Sequence, residues 1–382
     1  MKYKLEDLVD LQIGRTPPRK EFEWFNTNGE GYKWVSIKDM GNSGRFISDT
    51  SEYLTEAAQK RFGIPIVEKG TLLLSFKLTV GRLCITTDNM LTNEAIAQLP
   101  IKDSNIVDRD FLYYYLKNYN FHQLGSTSSI ATAINSTYLK KMEIDLPSID
   151  QQWAIAAVLS SIDDKIESNN AINNNLEQQV QTLFKSWFVN FEPFGNQQPS
   201  EWTISTLGKV SVMGAGGDKP KIVSSTKTEG CPYPIYSNGL NDEGLYGYTD
   251  TPKITDESVT VSARGTIGFV CLRHVPYVPI VRLVTLVPNT NIMTAKYLYL
   301  WLKQLHITGT GTTQQQLTVP DFQKTEILVP SVEILFSFTS TVEPLFEKIW
   351  ANQVENEKLA SIRDTLLPKL LSGEIDISNI DF

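Results

Sequence analysis

The sequence predicts an α+β protein with a pseudo-two-fold internal repeat. Two similar, loop-rich α+β domains are joined by two long helices that pair antiparallel as a coiled coil. Three observations lead there: the chain aligns with itself, two stretches keep a heptad phase, and short β-branched runs alternate with turn clusters.

The self-alignment comes first. KGTLLLSFKLTVGRLCI (69–85) matches DESVTVSARGTIGFVCL (256–272), placing Ser75 on Ser262, Lys77 on Arg264, Gly81 on Gly268 and Cys84 on Cys271. FLYYYLKN (111–118) matches YLYLWLKQ (297–304), and LKKMEIDLPS (139–148) matches FQKTEILVPS (322–331). YKLEDLVDLQIG (3–14) matches WTISTLGKVSVMG (202–214) more loosely. The order is kept and the offset drifts slowly from 199 to 183, so the unit is a domain with a tail and not a solenoid repeat. The divisions are 1–147, 148–192, 193–330 and 331–382.

Inside each domain, TLLLSF and SVTVSA read as strands. Turn clusters such as NTNGEG, GNSG and SNGLNDEG surround them. DFLYYYLKNY and AKYLYLWLKQ read as short helices whose aromatics belong to a core. GAGGDKP (214–220) leads into no apolar helix, so it reads as a mobile loop and not as a nucleotide cradle.

The tails carry the heptads. Ile155, Leu159, Ile162, Ile166, Asn169, Asn173, Leu176, Val180, Leu183 and Trp187 alternate steps of four and three. Shifted by 183, the positions are Phe338, Val342, Leu345, Ile349, Asn352, Asn356, Leu359, Arg363, Leu366 and Leu370. This narrow seam suits a coiled coil, and Arg363 is its one departure beyond the asparagines. Ser148 and Gln151 form a capping box for the first helix; Ser331 keeps only half of one. With no core of their own, the helices are expected to lie on each other. An antiparallel pairing brings Asn169 and Asn173 to Asn352 and Asn356, where buried amides fix register. A helical hairpin with its turn in SNNAINNN is the competing reading.

Composition limits the function classes. The net charge of −8 disfavours nucleic acid at first sight, but the acidity sits in the tails. Residues 1–150 hold 18 Lys and Arg against 19 Asp and Glu, and residues 193–330 hold 11 against 10. No run approaches a membrane span, no apolar leader opens the chain, and three scattered cysteines (Cys84, Cys231, Cys271) suggest reduced thiols in a cytoplasm. Three scattered histidines make a Cys/His metal site unexpected. A two-headed frame with a fixed separation suits a bipartite duplex DNA site; a protein-binding adaptor would fit the same frame.

The chain resembles the specificity subunits of type I restriction-modification systems along essentially its whole length. The resemblance rests on KGTLLLSFKLTVG, on LPSIDQQWAIAAVLSSIDDKI entering the first helix, and on RDTLLPKLLSGEIDI closing the second. The second helix begins VPSVEILFSFTSTVEPLFEKI and lacks the DQQ element. The resemblance implies a non-catalytic subunit whose two target-recognition domains each read half of a split double-stranded DNA sequence. It implies helices that set the gap and dock two modification subunits. Those carry S-adenosylmethionine and methylate a flipped adenine; restriction subunits with ATP and Mg complete the complex. The sequence itself has no Asn/Asp-Pro-Pro-Tyr/Phe run and no G-x-x-x-x-G-K-[ST], so no cofactor is expected on this chain.

Candidate DNA contacts follow from loop position and residue type. In the first domain they are Arg15, Arg19 and Lys20 in GRTPPRK, Ser36, Lys38 and Arg45, Lys77, and Asn135. In the second they are Lys219 and Lys221, Arg264, and Gln314, Gln315 and Gln316, whose amides suit adenine edges. Lys77 and Arg264, being repeat-equivalent, could instead share a structural salt bridge.

Overall fold

The computed structural model describes residues 1–121, 134–309 and 316–376. It divides into two units: residues 1–171 with 352–382, and residues 172–351.

In the first unit, a five-stranded sheet runs in the order Gln12–Ile13, Ile96–Leu99, Leu72–Ser75, Leu83–Thr86 and Phe46–Ile47, antiparallel except for the last pair. A second sheet orders Phe25–Asn26, Glu52–Leu54, Tyr32–Val35 and Leu91–Thr92. Lys2–Lys4 pairs with Glu143–Asp145. The second unit has a four-stranded antiparallel sheet ordered Ser211–Ala215, Val284–Pro288, Ser258–Val261 and Val270–Arg273. Leu245–Thr249, Tyr233–Tyr236 and Val278–Pro279 form another sheet, and Thr203–Thr206 pairs with Glu326–Val329.

The repeat holds at the level of register. Leu72, Leu73 and Leu74 face Ile85, Cys84 and Leu83. Val259, Thr260 and Val261 face Leu272, Cys271 and Val270, which is the same pairing 187 residues later. Both hairpins close alike. The hydroxyl of Ser75 donates to Thr79 O and accepts from the Arg82 amide at 2.8 Å. Ser262 donates to Thr266 O and accepts from the Phe269 amide at 2.8 Å. Gly81 and Gly268 sit at φ +91° and +85°, a left-handed turn that a β-carbon would strain. This is why serine and glycine survive in both copies while the tip residues differ.

The aromatic helices Arg109–Lys117 and Ala295–Gln304 turn their rings inward: Phe111, Tyr113 and Tyr114, and Tyr297, are buried. The three cysteines are free and buried, and burial pushes the Cys84 thiol up to about 12. Among the described residues no helix is long and apolar enough to cross a membrane.

The first long helix is unbroken over Ile149–Phe188, so the asparagine run makes no turn. The second spans Val332–Ser372. Ser148 and Gln151 cap the first as their spacing predicts: Ser148 N donates to Gln151 Oε1 at 3.3 Å, and Gln151 N donates back to Ser148 Oγ at 3.4 Å. The neighbouring Gln152 is buried. Its Oε1 accepts from the Asp108 amide at 2.9 Å and its Nε2 donates to Ile106 O and Pro147 O. One glutamine of the DQQ element therefore caps the helix, and the other ties it to the domain.

Within each unit the helices run antiparallel. In the first, Asn169 Nδ2 donates to Asn356 Oδ1 and to Glu355 Oε2, each at 2.9 Å. Asn356 Nδ2 donates to Asn170 Oδ1 at 2.9 Å, and Lys165 meets Glu355 at 3.5 Å. In the second, Asn173 Nδ2 donates to Ile349 O at 3.3 Å, and Phe188 packs edge-on to Phe338 at 4.9 Å.

The expectation that the helices have only each other to lie on is corrected. Ile155, Ala156, Leu159, Leu367 and Leu370 belong to the core of the first unit. Val180, Phe184, Phe188, Leu335, Phe338, Val342 and Phe346 belong to the core of the second. Seam positions such as Ile155, Leu159, Val180, Phe338, Val342 and Leu370 themselves enter the domain cores, joined by a second stripe of Ala156, Phe184, Phe188, Leu335, Phe346 and Leu367.

The domain-facing stripes differ in chemistry. In the first unit Arg363 Nη1 donates to Asp163 at 2.6 Å, and Tyr114 OH donates to its other oxygen at 2.8 Å. Burial and the Asp163 charge push the Tyr114 phenol far up. In the second unit Lys296, buried, meets Glu257 at 2.7 Å and Glu343 at 2.9 Å. His274 stacks on Trp350 at 4.0 Å.

Burial against that ring, with Lys296 and Arg273 close by, pushes the His274 imidazole down to about 4. The unfolded chain therefore takes up this proton first as pH falls. Stability should drop between about pH 6.5 and about pH 4, and a His274→Gln variant should lose part of that slope in paired melts. Identical slopes in the two proteins would refute the assignment.

Candidate nucleic-acid interface

The hairpin tips carry the repeat-equivalent cations. Lys77 and Arg264 lie between the closing serine and glycine of their hairpins. Neither makes an ion pair among the described residues, so they share no structural salt bridge. Lys77 Nζ lies 5.2 Å from the Phe76 ring; Arg264 is exposed and donates to Gln316 Oε1 at 3.3 Å. A repeat-equivalent position is bonded beside each tip: Ile134 N donates to Phe76 O at 2.8 Å and Leu317 N to Ala263 O at 3.0 Å.

A second loop flanks each tip and begins at a required glycine. A β-carbon at Gly14 would collide with the carbonyl oxygens of Thr92 and Asn93. At Gly216 it would lie 2.7–2.8 Å from the Ile280 backbone. The stretch GAGGDKP, expected to be mobile, is corrected here. Gly216 N donates to Leu283 O at 2.8 Å, and Gly216 O and Gly217 O accept from Arg282 and Val281, each at 2.9 Å. Strand pairing fixes its first half, and Lys219 and Lys221 project exposed beyond it.

Several expected DNA contacts have partners within the protein. Arg45 is the clearest correction: it is buried, donates to Asp164 at 2.8 Å and to Tyr114 OH at 3.3 Å, and its amide donates to Glu167. It ties the domain to its helix and cannot reach a duplex. Arg19 is exposed, is held by both oxygens of Glu52 (2.7 and 3.0 Å) and lies over Phe25 and Trp34. Ser36 caps the helix Ile37–Asn42 and donates to Asp39, and Asn135 caps Ser136–Lys140. Arg15 is exposed, but donates one Nη to Phe62 O at 2.7 Å. Lys20 and Lys38 are exposed on the first domain. Gln314 and Gln315 lie outside the described residues.

The second unit gathers its cations around a cleft of about 510 Å³. Gly216, Gly217, Asp218, Lys219, Tyr246, Arg264, Val281 and Arg282 line it. Sequence reading missed Arg282, Tyr246 and Asn238. Val281 and Arg282 both adopt left-handed backbone, at φ 52° and 65°, which is costly for side-chained residues. Asn238 holds that turn: its Nδ2 donates to Val281 O at 2.6 Å while its Oδ1 accepts from the Ala263 amide at 2.7 Å. One side chain thus fixes the strained turn against the hairpin tip. The first copy has Glu94 and Ala95 near the matching place, so the self-alignment offered no signal for Arg282.

Comparison with known proteins identifies the family. A family model described as a type I restriction modification DNA specificity domain matches residues 1–178 and 199–355. The chain is 28% identical over 420 residues to the type I restriction enzyme MjaIX specificity subunit of Methanocaldococcus jannaschii, covering 99% of this chain and 94% of that protein. It is 24% identical to the HindI specificity subunit of Haemophilus influenzae, covering 81% and 87%. Its fold is similar to the crystal structure of a type I restriction-modification S subunit from M. genitalium, with TM-score 0.62, 19% identity, and 97% and 95% of the two chains covered. With the family model matched twice, once in each copy of the repeat, the chain belongs to the type I restriction-modification DNA specificity family.

Proposed function

We propose that this chain selects the DNA sequence for a type I restriction-modification complex, with each domain reading one half of a bipartite site. Residues 1–147 and 193–330 are the recognition domains; 148–192 and 331–382 are the spacers. The observation that carries this reading is the matched hairpin pair. Two domains of divergent sequence keep one register and one serine-glycine closure, and each puts a cation at the tip. A shared frame with different tips suits reading two different sequences by one geometry.

The helices set the separation and dock two modification subunits, which supply S-adenosylmethionine and the methyl transfer; ATP-dependent cleavage belongs to restriction subunits. Asn169, Asn173, Asn352 and Asn356 act as the register mark, because a slipped pairing would leave their amides against Ile or Leu. Lys20, Lys38 and Lys77 serve the first half-site; Lys219, Lys221, Arg264 and Gln316 serve the second.

The test is a matched insertion. Seven residues added to each helix beside its asparagines preserve the heptad and add about 10 Å of helix. Methylation mapped in cells carrying the variant and its partner subunits should show both half-sites unchanged. The gap should be longer by about 3 base pairs, at ~3.4 Å per pair. An altered half-site, or an unchanged gap, would refute the division of labour.

A further inference from the structure

We infer that the Arg264–Gln316 pair reads a guanine in the second half-site, with Lys219 and Arg282 holding the DNA backbone beside it. This rests on the function proposed above and names the base at one position.

The argument turns on which hydrogen-bonding groups point outward. Gln316 alone could offer an acceptor and a donor, the pattern that suits adenine. Here its Oε1 accepts from Arg264 Nη2 at 3.3 Å, so one of its two lone pairs is engaged within the protein. The pair is left presenting mostly donors: the remaining guanidinium N–H groups and the Gln316 amide N–H groups, against one lone pair on Oε1. Guanine offers two adjacent acceptors, N7 and O6, at its major-groove edge, whereas adenine places a donor beside its N7. A pair led by the Arg264 donors therefore favours guanine.

The surroundings hold the pair in place. Arg264 stands at the tip of a hairpin closed by Ser262 and Gly268. Gln316 is followed directly by Leu317, whose amide is bonded to Ala263 O. Asn238 locks Ala263 to the Val281–Arg282 turn. Across the cleft, Arg282 and Lys219 are cations of the kind that contact phosphate. The left-handed backbone at Val281 and Arg282 is the strain that a placed functional group can explain.

The experiment uses the full complex with its modification subunits. Methylation is mapped for the wild type and for Arg264→Ala, Arg264→Lys, Gln316→Ala, Arg282→Ala and Lys219→Ala. Binding to the wild-type duplex is measured across a salt series. Arg264→Ala and Gln316→Ala should relax one guanine position of the second half-site, by about 5- to 150-fold in discrimination for Arg264→Ala. The first half-site should stay intact. Arg264→Lys keeps the charge but not the fork, so it should retain affinity and still lose discrimination. Arg282→Ala and Lys219→Ala should weaken binding at all sites and lower the salt slope by about 1 each.

The inference is overturned if Arg264→Ala leaves every position unchanged, or if the relaxed position is an A·T pair. It is also overturned if Arg264→Lys discriminates as the wild type does. A wild-type complex that methylates no bipartite sequence would sink the underlying function instead, which separates the two failures.

Discussion

Replacing Arg363 by leucine should destabilise the first unit by about 3–5 kcal/mol, although it completes the apolar seam of the second helix. Heptad logic gives the opposite sign, since Arg363 is the departure from an otherwise apolar pattern. The structure shows what the arginine does. Asp163 is 5% exposed, and its two oxygens take the Arg363 guanidinium at 2.6 Å and the Tyr114 hydroxyl at 2.8 Å. Lys117 stands 4.0 Å away, too far to replace that bond. Leucine would leave a buried carboxylate with its strongest partner gone. In calorimetry this should lower the melting transition of that unit by roughly 6–20 °C. A second variant, Asp163→Leu with Arg363→Leu, removes the stranded charge and should recover most of the loss. A melting point that stays or rises in the single variant would show that the ion pair is dispensable.

The second large effect is expected from Phe188→Ala, at about 3–5 kcal/mol in the second unit. Phe188 lies 4.8 Å from Tyr297 and 4.9 Å from Phe338, both edge-to-face, and 5.7 Å from Trp202. It joins three segments: the first long helix, the aromatic helix Ala295–Gln304 and the second long helix. Removing the ring opens a cavity that no single neighbour can fill, because each is fixed by a different segment. Denaturant melts should show a lower midpoint. A double-mutant cycle with Phe338→Ala should give a coupling of about 0.5–1.5 kcal/mol. A loss below about 1 kcal/mol would mean that the cluster repacks.

The two effects also explain what the sequence can and cannot disclose here. The repeat was legible because the residues that close the hairpins act locally. Ser75 and Ser262 bond within seven residues of themselves, and Gly81 and Gly268 meet a local backbone demand. The helices were legible for a similar reason, since a heptad is a property of one helix. The second stripe was not. Asp163, Phe184 and Phe188 are buried only because a domain lies against them, and their spacing overlaps that of a solvated face.

The candidate site divides in the same way. Arg264 stood out by its repeat position. Arg45 has the same residue type in the same kind of loop, yet it is buried against Asp164, 119 residues away. Arg282 acquires its place from strand pairing between Ser211–Ala215 and Val284–Pro288. No local pattern encodes partners at such separations.

One feature of the first unit bears on how the protein is made. Its residues are 1–171 and 352–382, whereas the second unit is the single stretch 172–351. On a ribosome, the second unit can therefore finish folding while the first still lacks its last segment. Asp163 emerges 200 residues before Arg363. At about 5–20 residues per second, that is roughly 10–40 seconds with its main partner unmade. The amino-terminal domain, synthesised first, is thus the last to be completed, and a truncated chain would announce itself there as an unclosed core.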